Sequence, residues 1–238
     1  MRKIFIADAH LKNPEDSNYR RLLEFLATLP GNCDTLYILG DLFEFWIGYR
    51  RVPFKHYFPI MEALLKLHRQ GTSIVFFEGN HDFHVGPFFT EELQAEVHPD
   101  PAIIDLDGRR VYLCHGDQIN NGDHGYRLLR ALFRSRLTKA LVRVVPPPLV
   151  SQIAVALGKK SKRKHTRNNR LWDYSAILRD FAAQRFADGC DMVVTAHFHI
   201  PLMESNEGEG KTLVALGDWI TQFSYAEWED GAITLKKY

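Results

Sequence analysis

Aspartate, asparagine and histidine side chains recur in short clusters over the first two hundred positions of this 238-residue chain. Seven of them offer oxygen or imidazole nitrogen to a metal ion: Asp8, His10, Asp41, Asn80, His115, His197 and His199. Such a mixed set favours Mn, Fe or Zn over Ca. An aspartate can bridge two cations, and two cations ~3.5–4 Å apart can hold a hydroxide and clamp a phosphoryl group. These residue types therefore predict a two-metal site for phosphoester hydrolysis.

Each cluster directly follows a short apolar run that is typical of a buried β-strand. The runs cover residues 3–7, 35–39, 73–77, 110–114, 192–196 and 212–216. Between several of them, apolar residues at helical spacing predict helices over 19–29 and 59–69. Strands and helices that alternate indicate an α/β fold. Because ligands gather at the carboxyl ends of strands in such folds, we expect the seven side chains to share one site.

Charge is distributed unevenly along the chain. Between Asn121 and Trp172, thirteen basic residues accompany one acidic residue, a formal charge of +12 in a protein whose net charge is +1. Apolar residues keep roughly helical spacing over 126–145, and the three prolines at 146–148 must end that helix. We therefore expect a basic amphipathic helical lid, residues 125–172, inserted into a single domain that spans residues 1–238.

The basic lid has three interpretations: a solvated face, a nucleic-acid surface or a membrane surface. A solvated face does not need thirteen cations. Nucleic acid favours exposed aromatic residues for stacking, and the segment has only Tyr126, Phe133 and Trp172. An anionic membrane surface would use both the cations and the aliphatic stripe, so we favour it over nucleic acid. No obligate protein partner is inferred.

Composition and cysteine usage indicate an ordinary globular protein of the cytosol. The chain is 45% hydrophobic and 25% charged, which excludes a disordered or fibrous protein. Cys33, Cys114 and Cys190 are few and far apart, as expected of reduced, buried thiols. The first residues lack the apolar core of a signal peptide, and no apolar stretch approaches the ~18 residues of a membrane span.

The ordered motifs resemble those of the calcineurin-like metallophosphoesterases: Asp8-x-His10, Gly40-Asp41, Gly79-Asn80-His81-Asp82, His115 and His197-x-His199. The resemblance implies a metallophosphatase-type two-sheet αββα sandwich that binds two divalent cations. It implies that one cation is held by Asp8, His10, Asp41 and His199. The other would be held by Asp41, Asn80, His115 and His197, so that Asp41 would bridge the two.

Residues 37–48, with His115-Gly116-Asp117 and Asp123-x-x-Tyr126, resemble more narrowly the UDP-2,3-diacylglucosamine pyrophosphatases of lipid A biosynthesis. That family releases UMP and 2,3-diacylglucosamine 1-phosphate, usually with Mn²⁺. The resemblance implies a UDP-linked diacylated glucosamine as substrate, a lid that holds acyl chains, and a peripheral place on the cytoplasmic face of the inner membrane. The implied substrate contacts are Asn80, His81, Asp123, Tyr126, Ser161, Arg167 and His197.

His81 is the expected catalytic residue, in a position where the narrower family commonly has arginine. Its imidazole could meet the phosphate or protonate the leaving oxygen, and the alternative role is a hydrogen bond to an aspartate or a carbonyl group. Asp82, Asp117 and Asp218 are interpreted as turn formers or as acceptors that orient ligand histidines.

Two other functions stay open. One is a phosphodiesterase or nuclease that acts on another lipid-linked or nucleic-acid phosphodiester. The other is a metal-stabilised interaction module without activity.

Overall fold

The computed structural model describes residues 1–48, 54–120, 172–206 and 208–238, together with positions 122, 130, 131, 135 and 138. The chain forms two compact units, of which the first comprises Met1–Asp117 and Ala182–Tyr238, and the second comprises Gln118–Phe181. The predicted lid, 125–172, falls within the second unit, and nearly all of it lies outside the described residues. The lid and the single domain that would contain it therefore stay predictions.

A six-stranded sheet runs through the first unit. Its strands are β1 (Lys3–Ile6), β2 (Thr35–Ile38), β4 (Ser73–Phe77), β6 (Glu96–His98), β12 (Ser224–Glu229) and β13 (Ala232–Lys237). They lie in the order β13-β12-β1-β2-β4-β6. The four strands from β1 to β6 are parallel, whereas β12 is antiparallel to β1 and forms a hairpin with β13.

A second sheet has five strands: β7 (Ala102–Leu106), β8 (Arg109–Leu113), β9 (Met192–Thr195), β10 (Pro201–Asn206) and β11 (Lys211–Leu216). Their order is β10-β11-β9-β8-β7. The three central strands are parallel, and the two outer strands pair antiparallel with their neighbours. Two further short strands, β3 (Trp46–Ile47) and β5 (Asp82–Phe83), pair with each other. All six predicted strands are confirmed to within one residue at each end.

The described helices are α1 (Ser17–Ala27), α2 (Phe58–Arg69) and α3 (Tyr174–Ala187), with a short 3₁₀ turn at Lys55–Tyr57 and a π-helical turn at Phe88–Glu92. Helix α1 starts two residues earlier than the predicted 19–29 and ends at Ala27, because a tighter turn from Leu29 N–H to the Leu26 carbonyl replaces its last part. Helix α2 starts one residue earlier than predicted, so that Pro59 lies in its first turn, where its missing N–H costs nothing.

Two apolar layers cover the two faces of the six-stranded sheet. Alternate residues such as Ile4 and Phe5 point to opposite faces. One layer packs against α1 and α2 through residues that include Leu22 and Leu64. The other contacts the second sheet through residues that include Val194. The predicted two-sheet α/β sandwich is thereby confirmed.

The structure also shows the state of the cysteines and the character of the described helices. All three cysteines are buried free thiols. Among the residues described, none of the helices combines the length and the apolar character that crossing a bilayer requires.

Candidate metal centre

The predicted polar clusters follow strands whose carboxyl ends are tied together by main-chain hydrogen bonds. Asp8, beyond β1, donates its N–H to the Gly40 carbonyl at 3.1 Å, and His10 donates to the Asp41 carbonyl at 2.9 Å. In the second sheet, Ala196 donates to the His115 carbonyl at 2.9 Å. These hydrogen bonds hold the ends of neighbouring strands in fixed positions. The sequence places the seven side chains at these strand ends.

Five of the seven predicted ligands have a left-handed backbone. Their φ angles are 52° for Asp8, 45° for His10, 54° for Asp41, 70° for His197 and 55° for His199. Non-glycine residues seldom adopt this conformation, because Cβ crowds the main chain at a cost of about 1 kcal/mol each. Strain of this kind concentrates at functional sites. Five of the ten described non-glycine residues with positive φ are thus predicted ligands.

One group of ligand atoms surrounds the Asp8 carboxylate, which is fully buried. Its Oδ1 lies 3.8 Å from His10 Nε2 and 3.9 Å from His199 Nε2. Both Asp8 Oδ1 and His10 Nε2 are buried without a hydrogen-bond partner. Two ligands at ~2.1 Å from one ion lie roughly 3–3.5 Å apart, so these distances are near those of a shared cation and too long for hydrogen bonds. A divalent cation fits this group.

A second group of ligand atoms surrounds the Asp41 carboxylate. Its Oδ2 lies 3.5 Å from His115 Nε2 and 3.5 Å from His10 Nε2. His115 Nε2 is also 3.1 Å from Asn80 Oδ1 and 3.2 Å from His197 Nδ1. Asp41 therefore lies between the two groups, the position that a bridging ligand would need.

The second ring nitrogens of three histidines face acceptors. His115 Nδ1 is 2.7 Å from the Leu39 carbonyl oxygen, which fixes the proton on Nδ1 because a carbonyl only accepts. His10 Nδ1 faces Glu44 Oε2 at 3.6 Å, and His199 Nδ1 faces Asp218 Oδ2 at 3.5 Å. Such partners orient ligand imidazoles and direct Nε2 toward the candidate metal position.

The Asp82 carboxylate holds the turn that carries Asp41. Its Oδ1 accepts the N–H groups of Asp41 at 2.9 Å and Gly79 at 3.0 Å. Its Oδ2 accepts those of Leu42 at 2.7 Å and Phe43 at 3.3 Å. A Cβ at Gly79 would overlap Asp41 Oδ1 and the Asp41 main-chain nitrogen. The turn can therefore approach β4 this closely only because residue 79 is glycine.

His81 lies beside the same two groups. Its N–H donates to Asp41 Oδ1 at 2.9 Å, and its Nδ1 is 2.7 Å from the Glu44 carbonyl oxygen. Its ring meets that of His10 edge-on, with centroids 4.6 Å apart. Because the carbonyl group fixes Nδ1 as a donor, Nε2 is the nitrogen that can exchange a proton with a substrate.

Burial and mutual charge shift the titration of the centre. Burial lowers the pKa of His10 well below its usual value and, with the charge of His115, lowers that of His197 to about 3. Burial also raises the pKa of Asp8 to about 6, although nearby imidazoles oppose it. For Asp41 and His115 the effect of burial is outweighed by their mutual attraction, so the pKa of Asp41 falls and that of His115 rises to about 10.

These shifts describe a centre that needs positive charge. Although burial opposes it, the nearby carboxylates of Asp41 and Asp8 favour the protonated form of His115. A cation would replace that proton, since metal ligands bind in their deprotonated forms.

Sequence reasoning left out several residues around the centre. Glu44 faces His10 and pairs with Lys12, whose Nζ lies 3.3 Å from Glu44 Oε1. Glu44 could have been noticed because it comes three residues after Asp41, within the motif at 37–48. Gln222, which contacts the His199 carbonyl, follows no motif and could not. The predicted substrate contacts Asp123, Tyr126, Ser161 and Arg167 lie outside the described residues.

Comparison with known proteins decides the family. The family model described as Calcineurin-like phosphoesterase matches residues 1–201. The chain belongs to the calcineurin-like phosphoesterases. As a member, this phosphoesterase is a metal-dependent hydrolase. Among the described residues, three groups of side chains that could hold a metal agree with that: Asp8, His10 and His199; Asp41, His115 and His197; and His10, Glu44 and His81.

The phosphoesterase is similar along most of its length to proteins named UDP-2,3-diacylglucosamine hydrolase. The Aeromonas salmonicida protein is 32% identical over an alignment of 229 residues. That alignment covers 94% of this chain and 88% of the relative. The Pseudomonas paraeruginosa protein is 33% identical over 93% of this chain and 92% of its own length. A Xanthomonas campestris protein is 31% identical over 100% of this chain and 99% of its own.

Proposed function

We propose that this phosphoesterase hydrolyses the pyrophosphate bond of UDP-2,3-diacylglucosamine to UMP and 2,3-diacylglucosamine 1-phosphate, a step of lipid A biosynthesis. The observation that carries the proposal is the similarity, at 31–33% identity and over nearly the full length of both chains, to proteins named UDP-2,3-diacylglucosamine hydrolase. The convergence of carboxylates and imidazoles also supports it. Such side chains can hold divalent cations, and these would supply the positive charge that the oxygens of a reacting pyrophosphate need.

Two divalent cations, with Mn²⁺ as the native metal, belong to this proposal. Asp8, His10, Asp41 and His199 would hold one, and Asp41, Asn80, His115 and His197 the other. Bound cations would polarise a phosphoryl oxygen and lower the pKa of a water molecule. The mixture of carboxylate, carboxamide and imidazole ligands supports manganese.

His81 is the proposed catalytic residue. With Nδ1 held by the Glu44 carbonyl, its Nε2 would donate a proton to the leaving oxygen, a contribution of typically ~10²–10⁴-fold. The hydrogen bond from its N–H to Asp41 Oδ1 keeps the imidazole next to the metal-binding carboxylate. Asn80, His81 and His197 would contact the phosphates, and the segment around the predicted lid would contribute Asp123, Tyr126, Ser161 and Arg167.

The place of action would be the cytoplasmic face of the inner membrane, with the basic lid on its surface. The formal charge of +12 over residues 121–172 supports an anionic surface as partner, and the three buried free thiols support a reducing compartment. Cosedimentation with vesicles tests this. We expect binding to vesicles that contain anionic phospholipid, release at high salt, and little binding to neutral vesicles, whereas equal recovery with both would contradict it.

Product analysis tests the reaction. Purified protein is incubated with UDP-2,3-diacylglucosamine and Mn²⁺, and UMP is measured by mass spectrometry, with Mg²⁺ and Zn²⁺ in parallel. We expect UMP with Mn²⁺, loss of at least ~10³-fold in Asp41→Asn, and full activity in the matched control His68→Gln, which alters a histidine of helix α2. Hydrolysis of single-stranded DNA in preference to the lipid substrate would select the nuclease instead. Turnover by Asp41→Asn close to that of the wild type would contradict the bridging role.

A further inference from the structure

Residues 218–222, directly after β11 and its Gly217, form a rigid turn around one carboxylate, which we call the 218–222 loop. Asp218 Oδ1 accepts the main-chain N–H groups of Ile220 at 2.8 Å, Thr221 at 2.7 Å and Gln222 at 3.2 Å. Asp218 is 5% exposed. Three donors on one oxygen fix the carboxylate, so its other oxygen has a defined direction.

That second oxygen faces His199. Asp218 Oδ2 lies 3.5 Å from His199 Nδ1, while Nε2 on the far side of the ring lies 3.9 Å from Asp8 Oδ1. The Gln222 side chain holds the backbone of the same histidine, because its Nε2 donates to the His199 carbonyl at 2.9 Å. Its Oε1 accepts the Asp218 N–H at 3.2 Å and closes the turn. The loop thus contacts both the ring and the main chain of His199.

The loop also contacts Asp8. The Trp219 N–H donates to the Asp8 carbonyl at 3.2 Å. The Trp219 ring is fully buried, with its centroid 4.9 Å from that of Phe25 and 6.0 Å from that of Tyr238. Since the indole is anchored in this aromatic cluster, the loop cannot shift without moving a large side chain inside the core.

The other candidate metal group is supported by different elements. His115 Nδ1 bonds to the Leu39 carbonyl, and the turn that carries Asp41 is held by Asp82. Asp8 and His199, which share the 218–222 loop, belong to the same candidate group. The 218–222 loop therefore supports one group directly, and the groups are linked through Asp41 and through the His197 N–H, which donates to Asp8 Oδ2 at 2.8 Å.

We propose that the 218–222 loop is a positioning element that presets His199 and Asp8, and so affects the affinity of one cation position more strongly than that of the other. The inference rests on the proposed two-metal centre. A carboxylate on Nδ1 keeps the proton there, so that Nε2 stays available as a ligand, and loss of such a partner typically reduces metal affinity ~10–100-fold.

Asp218→Asn is the sharpest variant, because it separates the turn from the orientation of the ring. Three N–H donors would hold the amide oxygen in place of Oδ1, so the turn would persist. The amide NH₂ would then face His199 Nδ1, and a donor there moves the proton of a neutral imidazole to Nε2, the nitrogen that faces Asp8. A second variant, Gln222→Leu, removes the bond to the His199 carbonyl together with the bond that Gln222 Oε1 accepts from the Asp218 N–H. Asp105→Asn is the matched control, since Asp105 accepts one N–H in an exposed turn.

The experiment titrates metal-free full-length protein with Mn²⁺ by calorimetry and assigns histidine tautomers by ¹⁵N NMR before metal is added. For the wild type we expect two ions. For Asp218→Asn we expect one position weakened ~10–100-fold and the other weakened much less, together with an altered tautomer at His199. Gln222→Leu should weaken the same position, and Asp105→Asn neither.

The outcomes separate the loop from the centre. If both loop variants bind Mn²⁺ as the wild type does and keep the wild-type His199 signal, the role of the loop is overturned. The proposed centre is not affected by that result. Equal weakening of both positions would also overturn the role of the loop, because that result indicates general loss of structure. Wild-type protein that binds no Mn²⁺ would overturn the proposed centre, and the role of the loop with it.

Discussion

The Asp82 carboxylate offers the most direct test of how the centre is held, through the variant Asp82→Asn. Asparagine has nearly the same shape, yet one carboxylate oxygen becomes an NH₂ group. Two of the four main-chain N–H donors then lose their acceptor and face the NH₂ group of the asparagine, which is itself a donor. The amide would keep its oxygen toward Asp41 and Gly79 and give up the bonds from Leu42 and Phe43, one of which is long at 3.3 Å.

The expected cost follows from these contacts. A buried donor without an acceptor costs ~1–3 kcal/mol, so one full bond and one weak bond amount to about 2–4 kcal/mol. In a chain of this size each kcal/mol lowers Tm by ~2–4 °C, which gives a fall of roughly 4–16 °C. Activity should fall as well, because the same turn fixes the Asp41 carboxylate between the two groups of ligands.

Thermal denaturation at pH 7, followed by circular dichroism, measures the effect. The control is Asp105→Asn, which should leave Tm within about 1–2 °C of the wild type because its carboxylate is in an exposed turn.

The refuting result concerns protonation. Burial and the charge of Asp41 raise the pKa of Asp82 well above its usual value, whereas its N–H donors favour the ionised form. Four N–H donors on the two oxygens leave little room for a proton, so we expect the carboxylate to be ionised. An unchanged Tm and unchanged activity in Asp82→Asn would show that the carboxyl group is protonated and that asparagine replaces it.

Two further variants probe the support of the fold and of the centre. Glu227→Gln removes a carboxylate that pairs with Arg2 at 2.6 Å and with Lys236, and should lower Tm by ~2–4 °C at pH 7 for a contribution of about 1 kcal/mol. Burial opposes ionisation of Glu227, but these partners lower its pKa in the folded state, so the difference in Tm should be full above about pH 4.5 and shrink as the pH falls through the folded pKa. A gap that widens as the pH falls below about 4.5 would contradict this. Gly79→Ala should lower both activity and Tm, because its Cβ would overlap Asp41. The control Gly208→Ala has room for a Cβ and should change neither. Equal behaviour of the two variants would refute the steric argument.

The parallel strands and their polar ends could be predicted from the sequence. A parallel strand that is buried on both faces is an uninterrupted apolar run, as at Ser73–Phe77, and its end is visible in the sequence. Polar residues such as Asn80 directly after such a run have no packing reason to be there. The fold was therefore predictable for the same reason that the candidate site was.

Strand β12 could not be predicted in this way. Its sequence contains Glu227, which is 3% exposed and would ordinarily argue against a buried strand. The charge is accommodated by Arg2, 225 residues away in sequence, and by Lys236 on the neighbouring strand. Local patterns carry no trace of such a pair. Helix α3 was missed for a different reason, since its apolar residues are spread around the helix instead of forming one stripe.

Asp82 and Asp218 were interpreted from the sequence as turn formers or as acceptors that orient histidines, but the groups to which they bond could not be predicted. Asp82 bonds to main-chain groups 39–41 positions away, and Gln222 to a carbonyl 23 positions away. Main-chain donors and acceptors look alike at every position of a sequence. The candidate metal ligands could therefore be proposed from their chemistry, but the hydrogen bonds that support them could be identified only from the fold.

The left-handed backbone at five of the predicted ligands limits how the protein can change. At about 1 kcal/mol each, these conformations together cost ~5 kcal/mol, comparable to the entire margin by which many domains stay folded. Glycine at any of them would relieve the crowding and delete the ligand in the same substitution. Thermal stability and activity thus place opposite demands on these five residues. A variant selected only for resistance to heat would tend to accept substitutions there first, and would lose activity with them.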